Sequence, residues 1–265
     1  MTRKYEVTDE QRKKFNRKRL ELENRFAKGV VDPEATSDAL QYLIEDKRVI
    51  CEAGKTAGHI IQDNSSELMT SHKRACKIMG KNYFSDWDAV KHFGIKYSLC
   101  QMAALAKIPF SEATLNELKD THILVAVFPL SILEIRSKVA CDLFYKHEDA
   151  WYNEESFAKE RGETGWQLVR KTPAPNSFSK NWDDQQALLG KDDKTPTVRS
   201  MVYTTIGHYL ATGERLFEHI YVRTSSVDSV CYRVRIGDFD SGGLVVCDDR
   251  GGYCDLGVSS ARKPQ

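Results

Sequence analysis

THILVAVFPLSILEIRSKV, running from Thr121 to Val139, decides how this chain is read. Ile123 to Phe128 is an unbroken apolar run of strand length, and a run without alternation predicts a strand buried on both faces. Pro129 closes it. Ser131 with Glu134 three residues on is a capping box, so a helix opens there. A strand that runs straight into a helix is the mark of a packed core. It also divides the chain. Before it nearly every segment has helical period; after it strands and helices mix. The expected fold class is α+β: a helical N-terminal region followed by a mixed α/β body with C-terminal antiparallel strands. The matching organisation is a basic helical hairpin over 1–47, a helical region over 48–120 and the mixed body over 121–265.

Working back towards the N-terminus, Thr8 with Gln11 is another capping box, and the helix it opens is expected to run to about Lys28, where Gly29 stops it. Phe15, Leu22 and Phe26 fall along one side. Asp32-Pro33 starts a second helix with a proline in its first turn, and the short GVV connection makes the two an antiparallel hairpin. AGKTAGH, within 48–64, lacks the GxxxxGK[ST] spacing of a phosphate loop. Further helices are expected over 66–79 before Gly80, after the Ser85/Asp88 cap to Gly94, over about 98–107, and from Ser111 to Lys119.

Towards the C-terminus, 153–163 has helical period, GWQLVRKT is a strand, and 180–190 holds a short helix. Thr195-Pro196 begins a long helix with Val198, Val202, Ile206, Tyr209 and Leu210 on one face, and Leu216 and Phe217 extend it past Gly213. HIYVRTSS, CYRVRIGDF and GGLVVCDD are strands joined by Gly-rich turns, DSGG and DRGG.

The composition is that of a globular chain: 265 residues, 41% hydrophobic and 29% charged, with a net charge of +1. No apolar run approaches the roughly 20 residues of a membrane span. The N-terminus has no apolar segment after its basic residues, so it is not a secretory signal. Seven scattered cysteines without CxxC spacing read as reduced thiols, which places the protein in the cytoplasm, and no metal site is assigned. No motif names a cofactor. Charge is unevenly spread. Residues 1–28 hold ten Lys and Arg against five Asp and Glu. Arg12, Lys13, Lys14, Arg17, Lys18 and Arg19 make the first helix a candidate contact for a polyanion, with a solvated helix face as the plain alternative.

Three other groups carry possible chemistry. DWDAVKHFGIKYSLCQMAALAK (86–107) places Ala89, Phe93, Ile95, Cys100 and Ala103 inward around Gly94 and resembles a helix-turn-helix unit. Its second helix offers Lys96, Tyr97, Ser98, Gln101 and Met102, with no arginine to grip guanine. Asp238 and Asp240 lie two apart on a strand, so both side chains share one face. Paired carboxylates hold divalent cations, but the segment lacks the closing Glu of a calcium loop, and Asp and Gly are also ordinary turn residues. His208, on the long helix, joins the two aspartates in an acid/base or metal set only if the fold brings them together. Glu214, six residues beyond His208, is not its neighbour on a helix. Trp151, Tyr152, Trp166 and Trp182, interleaved with basic residues, stack nucleic-acid bases if exposed and anchor a core if buried.

No GxSxG, HExxH or recognisable catalytic cysteine occurs. The leading expectation is therefore a cytoplasmic binding or regulatory protein that contacts nucleic acid or a protein partner through its basic helical N-terminus. The alternative is a metal-assisted hydrolase built on His208, Asp238 and Asp240.

Overall fold

The computed structural model describes residues 8–30, 70–146, 148–250 and 256–264. The expected second helix of the hairpin, residues 48–64, the start of the 66–79 helix, the DRGG turn and Cys254 lie outside the described residues. In chain order the elements are α1 (Asp9–Ala27), α2 (His72–Met79), β1 (Tyr83–Phe84), α3 (Asp86–Phe93), α4 (Leu99–Leu105), α5 (Glu112–Leu118), β2 (His122–Val127), α6 (Ile132–Lys138), α7 (Ser156–Lys159), β3 (Gly165–Arg170) and α8 (Trp182–Ala187). Then come β4 (Asp193–Lys194), α9 (Val198–Thr212), β5 (Tyr221–Val227), β6 (Arg233–Asp240), β7 (Gly243–Asp248), β8 (Leu256–Val258) and β9 (Ala261–Arg262). The class is α+β.

β2 is buried at every position. It runs parallel to β1 and antiparallel to β3, with Leu124 opposite Leu168. The first sheet has the order β1-β2-β3-β9-β4, and the second β7-β6-β5-β8, in which β5 and β8 run parallel. Ser131 and Glu134 form the anticipated capping box of α6. Ser85 with Asp88 and Ser98 with Gln101 do the same for α3 and α4. One hydrophobic cluster takes in Ala75, Phe93 and Leu115 of the helical region together with β2, α9 and the second sheet.

α9 lies between the sheets, packing against β1 and β2 on one side and β5 and β6 on the other. Every residue from Val198 to His208 is buried. A helix with no polar face is a buried helix, so the expected single apolar face is corrected to burial all round. The Tyr203 hydroxyl donates to the Ala126 carbonyl of β2 at 3.1 Å, and the Tyr209 and Phe239 rings meet at 5.2 Å against β6. The helix begins two residues later than its proline suggested, because Thr197 is the N-cap. It ends at Thr212: Gly213 adopts φ 76°, a left-handed conformation that turns the chain out of the helix. Leu216 and Phe217 are buried beyond that turn rather than helical. The helix expected over 153–163 is also shorter. It splits into a 3₁₀ turn, Trp151–Glu154, and the single turn of α7, because Glu155 and Glu160 take extended backbone angles on either side. Tyr152 and Trp166 are buried, as core anchors should be.

Candidate functional site

α1 stands largely clear of the body. Lys13, Lys14, Arg17, Lys18 and Arg19 are exposed along it. Arg19 pairs with Glu23 at 3.4 Å. Among the described residues the other four have no ion-pair partner, and the side chain of Arg12 lies outside what is described. Lys13 and Arg17, and Lys14 and Lys18, are one turn apart and so adjoin on the surface. Phe15 and Phe26 are 68% and 47% exposed beside this basic arc. Attachment to the body is at the far end of the helix. There Arg25 donates to the Tyr97 hydroxyl at 2.8 Å, which donates to Asp86 at 2.9 Å, and Val30 enters the core.

The segment that resembles a helix-turn-helix uses its would-be reading side chains for folding. Tyr97 is buried in the core, Ser98 is the N-cap of α4, and the Gln101 side chain accepts from the Ser98 N–H at 2.9 Å. Met102 packs partly against the core, while Cys100 and Ala103, expected inward, are exposed. This last is a correction: α4 turns its other side to β3, where Leu105 accepts from the Trp166 indole at 3.0 Å.

His208 is 1% exposed, and burial holds its pKa below the usual histidine value. Its acidic neighbour is Glu214, with Nε2 and Oε2 3.5 Å apart. Six residues of helix would have separated them. The turn at Gly213 brings the carboxylate back, and the Glu214 N–H donates to the Thr212 hydroxyl at 3.1 Å. Lys81 donates to Glu214 at 2.6 Å, and Lys171 lies 3.9 Å away. The lysine charge keeps the Glu214 carboxyl below its ordinary pKa. The two aspartates have other partners. Asp238, at φ 48° in a bulge of β6, accepts from the Tyr221 hydroxyl at 3.1 Å. Asp240 accepts from the Gly242 N–H at 2.7 Å across its own turn. Among the described residues no three His, Cys, Asp or Glu side chains form a group that could hold a metal ion.

The outer face of the second sheet is a lattice of arginines on aromatic rings. Arg233 lies 3.9 Å from the centre of the Trp182 ring and Arg235 4.5 Å from that of Tyr221. Arg223 binds Asp249 at 2.5 Å and Gln185 at 2.9 Å. These charges are spent within the protein. A cavity beside β3, lined in part by Lys194, Arg199 and Arg262, was not foreseen. The only sign of it in the sequence is an arginine within an otherwise uncharged buried helix.

No family model, characterised protein or solved structure matches the chain. Among the described residues no helix is long and apolar enough to cross a membrane.

Proposed function

We propose that the protein is a cytoplasmic binding protein whose contact element is α1, and that the partner is the phosphate backbone of a nucleic acid. The observation that carries this reading is the arc of four exposed cations, Lys13, Lys14, Arg17 and Lys18, without carboxylate partners of their own among the described residues. Cations already paired release few counterions on binding, whereas unpaired ones contribute fully. Four contacts correspond to a slope of about −4 in log K against log salt on duplex DNA, and about −3 on a single strand.

The test is a titration of the full chain with duplex and single-stranded oligonucleotides at two salt concentrations. Changing the four residues together to Gln should weaken binding and bring the slope towards zero. No detectable binding by the native chain at low salt removes the nucleic-acid reading. A second reading, an acidic protein partner with an apolar groove, is favoured by the exposed Phe15 and Phe26 beside the basic arc. In that case affinity persists at high salt and falls on Phe15→Ala or Phe26→Ala, changes to which phosphate contacts are indifferent.

A further inference from the structure

The first sheet is incomplete at one place. β9 pairs with β3 only at Leu168–Arg262 and Val169–Ala261. Pro264 follows, and with no N–H of its own it cannot extend that ladder. Gly165, Trp166 and Gln167 are therefore paired with β2 on one side and, among the described residues, with no strand on the other. A cavity of about 280 Å³ lies along this open stretch, between β3, the residues after β9, Lys194 of β4 and the first turn of α9.

Arg199 of α9 forms part of its wall, although it is only 6% exposed. Its NH1 donates to the carbonyls of Phe128 and Leu130 at 3.3 and 3.5 Å. Glu160 acts on it from a distance, but no described carboxylate lies within ion-pair range. Nε and NH2 have no protein acceptor among the described residues. Gly162 presses against the guanidinium: a Cβ there would lie 2.5 Å from Cζ, and its φ is 67°. A buried charge without a counter-charge is among the costliest arrangements in a protein interior. Here the fold holds one rigidly at the edge of a cavity.

The other charged groups are unequal. Arg262 is held by Asp193 at 3.0 Å and Asp192 at 3.8 Å. Lys194 is exposed and has no ion pair. Glu163 also lines the opening, exposed and able to swing towards solvent. Gln167 accepts from the Ser200 hydroxyl, which fixes the side chain beside Arg199.

We propose that this cavity binds an oxyanion, a carboxylate or phosphate group of a small molecule, with Arg199 as the buried anchor and Lys194 as the cation at the mouth. The planar guanidinium offers two parallel donors that match two oxygens of either group. The volume lies just below the usual range of ligand pockets, which suits a small ligand.

The experiment is thermal unfolding and titration calorimetry of the full chain with sodium phosphate and with sodium acetate, against sodium chloride of equal ionic strength. One of the two anions should raise the melting temperature saturably, and which one does so identifies the group. Lys194→Glu, at an exposed position, should keep the ligand-free melting temperature and weaken binding at least tenfold. Arg199→Met, which keeps length and removes the donors, should abolish it; if that variant does not fold, Lys194→Glu carries the test. Stabilisation by neither anion beyond chloride, or native affinity in Lys194→Glu, overturns the proposal.

Discussion

His122 shows how one side chain ties this fold to pH. It is buried at the start of β2, where Thr121 Oγ1 lies 2.8 Å from Nδ1. Burial, reinforced by Arg170 and Arg262, pushes its pKa down to about 3. The unfolded chain has an ordinary histidine near 6.5. Between those values the unfolded state binds the extra proton, so stability rises with pH through that window and falls on acidification. The contribution is complete above about pH 6.5. Acidifying from pH 7 to pH 5 should remove about 2 kcal/mol through this residue. Urea unfolding of His122→Gln at the two pH values should show a drop smaller by about that amount than the native drop; equal drops would refute it. His208 acts in the same direction, since burial outweighs the opposing charge of Glu214. Neither effect was legible in the sequence. The proximity of Glu214 to His208 depends on the chain reversing at Gly213, and helical spacing alone argued against it.

At the scale of elements, the local signals read well wherever they were self-contained. The apolar run of β2, the three Ser capping boxes and the Gly stops at 80, 94 and 213 depend on neighbours within a few residues, and each appears as a strand, a start or a stop. What failed was context. The helical period of 153–163 gave way to a single turn of helix, and the one-faced long helix proved to be covered on all sides. Val125 tests the strongest reading. It is buried in the middle of β2, with Gln167 opposite on β3 and Phe84 opposite on β1. Val125→Asp places a charge where no counter-charge exists and should destabilise the protein by several kcal/mol. A soluble variant with an unchanged melting temperature would count against a strand buried on both faces. The basic arc of α1 was equally legible, because charge along an exposed helix needs no tertiary partner. Arg199 was not, because only the assembled sheet and Gly162 make its position unusual.

For the whole molecule the decisive feature is α9 between two sheets. A helix that serves both cannot leave one without exposing the other, so the sheets should unfold together. Single-tryptophan variants that retain only Trp166, beside the first sheet, or only Trp182, against Arg233 of the second, report on the two halves separately. Their urea transitions should coincide; separate midpoints would show that α9 belongs to one half alone. The order of the first sheet has a consequence for synthesis. Its members are drawn from residue 83 to residue 262, and β9 fits between β3 and β4 although it is made last. Until β9 leaves the ribosome, β3 presents an unpaired edge to the cytosol, the template for wrong pairing between nascent chains. The protein thus passes most of its translation in an aggregation-prone form, and holdase chaperones become part of how it reaches its native state.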